Sequence, residues 1–290
     1  MSDLASARTE YERALAKSRA NHDEAGQTFA AGNLAIVLNH QGNVAGARDL
    51  LLEVLPLAER RFGATSRRVV ELLLNLSEYL LDLDQIAEAA AHAERALALA
   101  EQLESRSVLT LGTCIGLAQV YGRQGRTADA LELLDRAAEL GTALLPPNAP
   151  EHAHVLLSRA MVLREVGRLD EAAAASSEGA DAMERATGPA GHETIEAQYT
   201  AGRSLLESGS TERARARLER ALEATAHTPV APTLVTQIRW TLARALWPER
   251  SQRARALELA RSAHDDLRSQ GDDRASEIEA WLADGRAARP

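Results

Sequence analysis

Cysteine appears once in 290 residues, at Cys114, so the chain can close no internal disulfide and no cysteine cluster can hold a metal. Aromatic residues are equally scarce, at 3%. That shortage argues against strands, which draw on β-branched and aromatic side chains. A core must then come from alanine and leucine within the 45% of apolar residues, which means closely packed helices. Lysine is almost missing: Lys17 is the single one among 33 basic residues, a bias that fits coding composition as well as any site. No window approaches eighteen uninterrupted apolar residues, and the opening "MSDLASARTEYERAL" lacks the apolar stretch of a signal peptide. A soluble, cytoplasmic chain is the expectation, with no membrane partner. The formal charge of −9 gives no overall pull toward nucleic acid.

Chemistry is scarce too. "EHAH" (Glu151 to His154) places two histidines two apart, which on a helix point to different sides and disfavour shared ligation. His192–Glu193 lacks the second histidine of a zinc-protease helix, and Cys114 sits at a packing position of the pattern described next. Asp265–Asp266 and Asp272–Asp273 are adjacent carboxylates near helix ends, where capping explains them. No spacing suits acid–base or nucleophilic work. The expectation is a non-enzyme with no catalytic residue, no metal and no cofactor.

What the chain does contain is repetition. With Gly125 of "YGRQGRTADALELLDRA" (Tyr121 to Ala137) as an anchor, equivalents stand at Gly42, Asp84, Gly167, Gly209 and Ser251, 41 or 42 residues apart. Five residues after the anchors come Ala47, Ala89, Ala130, Ala172, Ala214 and Ala256; seven further on come Val54, Ala96, Ala137, Gly179, Ala221 and Ala263. Small residues seven apart share one helix face and let a neighbour approach closely. Upstream, Leu34/Leu38, Leu76/Leu80 and Leu117/Tyr121 mark a preceding helix whose own small positions are Ala35, Ser77, Ala118, Ala160 and Gly202. The unit is helix, tight polar turn, helix. Gly141 and Gly188 are expected to end helices, and Thr65 or Ser66 to cap the next one.

The expected organisation is an N-terminal helix over 1–24, read as a second helix without its partner from Ala7 and Ala14. Hairpins follow at 25–65, 66–106, 107–148, 149–189 and 190–229. A degenerate sixth spans 230–271, where the apolar pattern slips and Pro248 breaks the turn, and a capping helix with tail spans 272–290. Each hairpin can bury its apolar face only against its neighbours, so the units stack. The apolar face of the N-terminal helix leaves room for self-association.

The stretches "GNLAIVLNHQGNVAGA" (Gly32 to Ala47), "LNLSEYLLDLDQIAEAAAHAERAL" (Leu74 to Leu97) and "GRLDEA" (Gly167 to Ala172) resemble the tetratricopeptide repeat in its long, kinesin-light-chain form. The resemblance covers roughly residues 25 to 270 and implies an all-α, right-handed superhelical solenoid whose first helices line a concave groove. In that family an asparagine nine residues before the turn bonds the backbone of a bound extended peptide. Here Asn33 and Asn75 hold that place, followed by Gly116, Ser158, Thr200 and Leu242. Helical spacing adds inward positions at Phe29, Ile36, Asn39 and His40, at Glu71, Glu78, Leu81 and Asp82, and at Gln119 and Arg123. Later repeats contribute His154, Met161, Arg164 and Glu165, then Glu196, Tyr199, Arg203, Leu206 and Glu207.

Amides, both charges and a few apolar groups suit an extended peptide, with the arginines reading acidic side chains. The expected function is a protein-interaction scaffold. "GRLDEA" turns, "ERAL" helices and "RALELARSAHDDL…EIEAWLA" also resemble, less specifically, the C-terminal region of bacterial eukaryotic-like serine/threonine kinases. The kinase motifs themselves are absent from this sequence, so the resemblance implies the docking or sensor part of a bacterial signalling system. The alternative is a regulator that binds a small peptide or metabolite and changes curvature.

Overall fold

A repeated turn organises the polypeptide. The computed structural model describes residues 2–287, with side chains described from 4 to 284. Among the described residues there are fourteen α-helices and no strand, grouped in two compact units, Met1–Pro147 and Asn148–Pro290. The first unit holds α1 (Ser2–Ala20), α2 (Glu24–His40), α3 (Val44–Phe62), α4 (Arg67–Asp82), α5 (Ile86–Glu104), α6 (Val108–Arg123) and α7 (Thr127–Leu144). The second holds α8 (Pro150–Glu165), α9 (Leu169–Thr187), α10 (His192–Glu207), α11 (Thr211–Ala224), α12 (Pro232–Leu246), α13 (Arg253–Gln270) and α14 (Ala275–Ala287). No helix among the described residues is long and apolar enough to cross a membrane.

Five of the anchor residues lie in the left-handed region: Gly42, Asp84, Gly125, Gly167 and Gly209, with φ between 59° and 82°. Around Gly42 the amide of Asn43 donates to the carbonyl of Leu38 at 2.8 Å, and that of Gly42 to Asn39 at 2.8 Å. These are the paired 6→1 and 5→2 bonds that satisfy the orphan carbonyls of a helix end. The same two bonds recur at Asp84 and Gly125. They also close α1 at His22 (φ 53°) and α13 at Gly271 (φ 69°), two copies that the spacing does not reveal.

Between the turns, close approach does the packing. Ala47, Ala89, Ala130, Ala172, Ala214 and Ala256 are all fully buried. A Cβ added to Gly202 would come within 2.6 Å of Leu218, so α10 and α11 touch where only glycine fits. Leucines fill the rest, among them Leu51, Leu73, Leu76 and Leu80 in the first unit and Leu205, Leu218 and Leu246 in the second. Burying a leucine side chain stabilises by roughly 1.5–3 kcal/mol, so the leucines carry the hydrophobic energy and the alanines set the distance.

Within each unit successive first helices also touch one another: α4 meets α6, and α10 meets both α8 and α12. No pair of second helices shares a comparable contact. The second helices are instead bridged by ion pairs: Arg95 to Glu59, Arg136 to Glu101 at 2.5 Å, Arg220 to Glu184 at 2.5 Å and Arg255 to Glu219 at 2.8 Å. Exposed pairs of this kind contribute about 0.2–1 kcal/mol each, so they favour the register more than they hold the fold.

One expected helix stop needs correction. α7 runs through Gly141, which is buried, to Leu144. The stop comes from Pro146, because a residue preceding proline is driven out of the helical region, and Leu145 is extended at φ −120°, ψ 153°. Gly188, by contrast, does end α9, at φ 84°. In α1 the packed stripe is Leu4, Ala7, Tyr11, Leu15 and Ser18, while Ala14 is exposed. That stripe lies against α2, the first helix of the next hairpin. In the sixth hairpin, where the sequence pattern already slips, Ala243 occupies the small position and Leu242 is fully buried, one residue out of register with the other hairpins. Pro248 sits between α12 and a short 3₁₀ turn over Arg250–Gln252, and no left-handed residue occurs there.

Two glycine substitutions in the third hairpin should act in opposite directions. Neither Gly112 nor Gly125 has an atom within 4 Å of an added Cβ, so only backbone terms count. Gly125→Ala places a side chain at φ +74° and should cost about 1–2 kcal/mol. Gly112→Ala, inside α6, should gain about 1 kcal/mol. Urea unfolding of the two variants measures both signs.

Candidate functional site

The residues left on the solvent side of the first helices follow from the same helical arithmetic that buries the leucines. On α2 the exposed stripe is Phe29, Asn33, Ile36 and His40. On α4 the equivalent positions are Glu71, Asn75, Glu78 and Asp82, and on α6 they are Gly112, Gly116, Gln119 and Arg123. The structure therefore brings the expected residues of the first unit onto neighbouring helices, α4 touching α6 and joined to α2 through the Arg68 to Thr28 bond, with Asn39 half-buried. Leu81 does not belong: it is buried in the core.

Phe29 is 51% exposed and yet held firmly. Its ring meets Phe62 edge-on at 5.7 Å, and the guanidinium of Arg68 lies 4.8 Å over it. Arg68 is fixed in turn, donating to the Thr28 carbonyl at 2.9 Å and pairing with Glu71 at 3.3 Å. Ile36, two turns along, is 40% exposed. Between them the amide of Asn33 faces solvent, and no protein group among the described residues hydrogen-bonds it or the amide of Asn75. Arg123 donates to Asp84 at 2.6 Å. Loss of solvent pushes the Asp82 carboxyl above its ordinary range, and the nearby Arg123 opposes that only in part.

In the second unit α8 presents His154, Met161, Arg164 and Glu165, and α10 presents Glu196, Tyr199, Thr200, Arg203 and Glu207. Tyr199, Arg203 and Glu207 stand four apart on one face. Arg203 donates to Glu207 at 2.9 Å, and Arg164 on α8 lies 3.8 Å from the other carboxylate oxygen, which is buried. Arg203 loses solvent, which disfavours its charge, but the bonds to Glu207 and Tyr199 more than offset this and hold it firmly protonated. Ser158 is buried and engaged within the protein, so it is not available on this face, and the Thr200 hydroxyl donates to the Glu196 carbonyl at 2.9 Å. Leu242 is core.

The slipped register conceals two residues of the same kind. Trp240 and Arg244 stand 41 after Tyr199 and Arg203, so α12 repeats the aromatic–arginine step of α10. Arg244 lies 5.9 Å over the Trp240 ring, and Trp281 of α14 meets both Trp240, at 5.2 Å, and Trp247, at 4.8 Å. The signal was available as the 41-residue spacing, but placing the sixth anchor at Ser251 hid it.

Burial pushes the Cys114 thiol up to about 11, leaving it protonated at neutral pH. Among the described residues no group of three or more histidine, cysteine or acidic side chains is placed to hold a metal.

A tetratricopeptide-repeat family model matches residues 27–102, 109–178 and 153–226, and a second model of the same repeat matches 199–271. No curated protein matches the chain. Among solved structures, a variant of a Podosopora anserina kinesin light chain with nearly identical TPR-like repeats is 19% identical. It covers 68% of this chain and 94% of its own, with a TM-score of 0.52. A Rap protein complexed with Competence and Sporulation Factor is 14% identical over 98% of this chain and 86% of its own, at 0.66. The Rap conjugation gene regulator of plasmid pLS20, in complex with the Phr* peptide, is 12% identical over 93% of this chain and 76% of its own, at 0.67. At these identities the likeness is one of fold.

Replacing Glu207 with glutamine removes the charge that Arg203 and Arg164 share and leaves two guanidiniums facing a neutral, partly buried group. Glu207→Gln should lower stability by about 1–2 kcal/mol. Glu165→Gln, at an exposed carboxylate 3.7 Å from Arg164, should stay within about 0.5 kcal/mol of wild type. Thermal unfolding separates the two.

Proposed function

Since the chain belongs to the tetratricopeptide-repeat family, we propose that it is a non-catalytic interaction scaffold that holds an extended peptide segment of a partner along the open face of its first helices. The observation that carries this is the pair of unengaged amides, Asn33 and Asn75, on equivalent turns of α2 and α4, with Phe29 and Ile36 exposed on either side of Asn33. An extended peptide presents a backbone donor and acceptor at each residue, and a primary amide matches both at once. A helical partner has no such backbone groups to offer, which makes an extended segment the better fit.

In the second unit Arg164, Arg203 and Arg244 provide guanidiniums beside Tyr199 and Trp240, a combination suited to acidic or aromatic side chains. The reading extends to a cytoplasmic role as the docking or sensor part of a bacterial signalling system. It draws there on the likeness to the Rap proteins, one of which is a conjugation gene regulator in complex with a peptide.

Removing the two amides should separate binding from folding. Asn33→Ala with Asn75→Ala breaks no hydrogen bond within the protein, so the melting temperature should stay within about 2 °C of wild type. Affinity for a partner peptide should fall roughly 5- to 150-fold, for two lost amides at about 0.5–1.5 kcal/mol each. Isothermal titration of peptides recovered from a partner protein reads this directly, and unchanged affinity in the folded double variant would refute the assignment.

A further inference from the structure

We propose that Arg68 is a positioning residue of the open face: lodged in a notch that Gly32 leaves in α2, it fixes the Phe29 ring beside Asn33 in the orientation a bound segment meets. This rests on the peptide-binding reading above and adds to it the residue that prepares one of the contacts.

Two departures from the repeat meet at this point. Ten residues before the turn, the next four hairpins carry Leu74, Ile115, Leu157 and Tyr199, whereas α2 carries Gly32. Sixteen before the turn, α4 carries Arg68, where the others of the first five hairpins have Gly26, Leu109, Glu151 and Glu193. A Cβ added to Gly32 would lie 2.3 Å from a terminal nitrogen of Arg68, so the guanidinium fills the space that a side chain takes in the other hairpins. Through that notch Arg68 reaches the Thr28 carbonyl at 2.9 Å and lies 4.8 Å over the Phe29 ring, which Phe62 meets edge-on. The ring is braced while its outer half stays open to solvent.

Neither residue is the choice that stability favours. Glycine inside a helix gives up more backbone freedom on folding than any other residue. The Arg68 side chain is only 17% exposed, and its Nε–H is buried with no hydrogen-bond partner among the described residues, an unmet donor on a largely desolvated charge. What the pair supplies is order on the open face. A ring already fixed has little freedom to lose when a ligand covers it, whereas a mobile one must be ordered at the expense of affinity. Arg68 is too enclosed to be the contact itself, and its guanidinium is engaged with Thr28, Phe29 and Glu71.

Folding should survive the loss of Arg68. Glu71 keeps Arg67 at 3.0 Å, and Thr28 lies inside α2, whose own hydrogen-bond ladder serves its carbonyl. Methionine keeps much of the buried length and removes both the desolvated charge and the unmet donor.

The test uses dodecapeptides selected from a random phage library on the immobilised full chain, measured by fluorescence polarisation. Wild type is compared with Arg68→Met, Gly32→Ala, Phe29→Ala and the double variant Phe29→Ala/Arg68→Met. Arg68→Met should weaken binding roughly three- to tenfold, the cost of ordering one side chain on association, with a melting temperature within about 3 °C of wild type. Gly32→Ala should give the same loss from the other side, by pushing the guanidinium off Thr28 and Phe29, and supplies the readout should Arg68→Met not fold. In the Phe29→Ala background Arg68→Met should cost nothing further, because it acts through the ring. Phe29 and Phe62 are the two phenylalanines of the chain, so 4-fluorophenylalanine gives one fluorine signal for each. The Phe29 signal should move toward its solvent-exposed value in Arg68→Met and Gly32→Ala. Unchanged affinity in both variants, an unmoved Phe29 signal, or an equal loss with and without the Phe29 ring overturns this inference. The peptide-binding reading then stands if Asn33→Ala/Asn75→Ala still weakens the same peptides. Failure of the wild type to enrich any peptide overturns both.

Discussion

Two helices can bring their backbones close only where the side chain between them is small, and this chain meets that condition at the same places in hairpin after hairpin. Ala47 and Val54, Ala89 and Ala96, Ala130 and Ala137 are buried to the last atom on the second helices. They face Ala35, Ser77 and Ala118 on the first helices, which are also buried. The contact is so tight that the Ser77 hydroxyl donates across it to the Ala89 carbonyl at 3.0 Å. A methyl group supplies little hydrophobic energy by itself, but the close approach lets leucines on either side interdigitate at the density of a protein interior. Few aromatics are needed because the core is thin, and the stacking of one hairpin on the next completes it.

The turn is the second consequence of that packing. Helices this close cannot be joined by a wandering loop, so the chain reverses through a single left-handed residue whose neighbours satisfy the last carbonyls. Glycine serves at Gly42, Gly125, Gly167 and Gly209, and Asp84 and His22 take the same conformation. Aspartate tolerates that region better than most residues, and at Asp84 the side chain also receives Arg123. A structural position thus contributes to the electrostatics of the open face, since it holds the Arg123 guanidinium whose charge Asp82 also feels.

With one face of each first helix consumed by its own second helix and another by the next hairpin, a third face is left over. Nothing in the packing dictates what it carries. That freedom is why the two units differ there: amides, Phe29, Ile36 and carboxylates in the first, arginines beside Tyr199 and Trp240 in the second. The face carries imidazoles and hydroxyls, at His40, His154, Tyr199 and Thr200, but among the described residues no group of three or more metal-ligating side chains. It has groups that complement another backbone and other side chains, which is the chemistry of holding.

The 42-residue period, the helical hairpin and the small-residue contacts were determined by the sequence alone, because each is a local or nearest-neighbour requirement repeated many times. Asn33, Ile36, Asn75, Glu78 and Arg123 could be placed on the open face from spacing for the same reason. What needed the tertiary structure were the departures from period. Ser158 holds the asparagine position by count but is buried, since its neighbours close over it. Gly141 reads as a stop and lies inside α7, because Pro146 one turn later is the stronger constraint. The slip at Ala243 moved Leu242 into the core and put Trp240 and Arg244 on the open face, and only packing against α13 and α14 settles that register. Counting along a chain finds which residues share a face; which atoms cover that face depends on residues far away in sequence, whose approach the count does not contain.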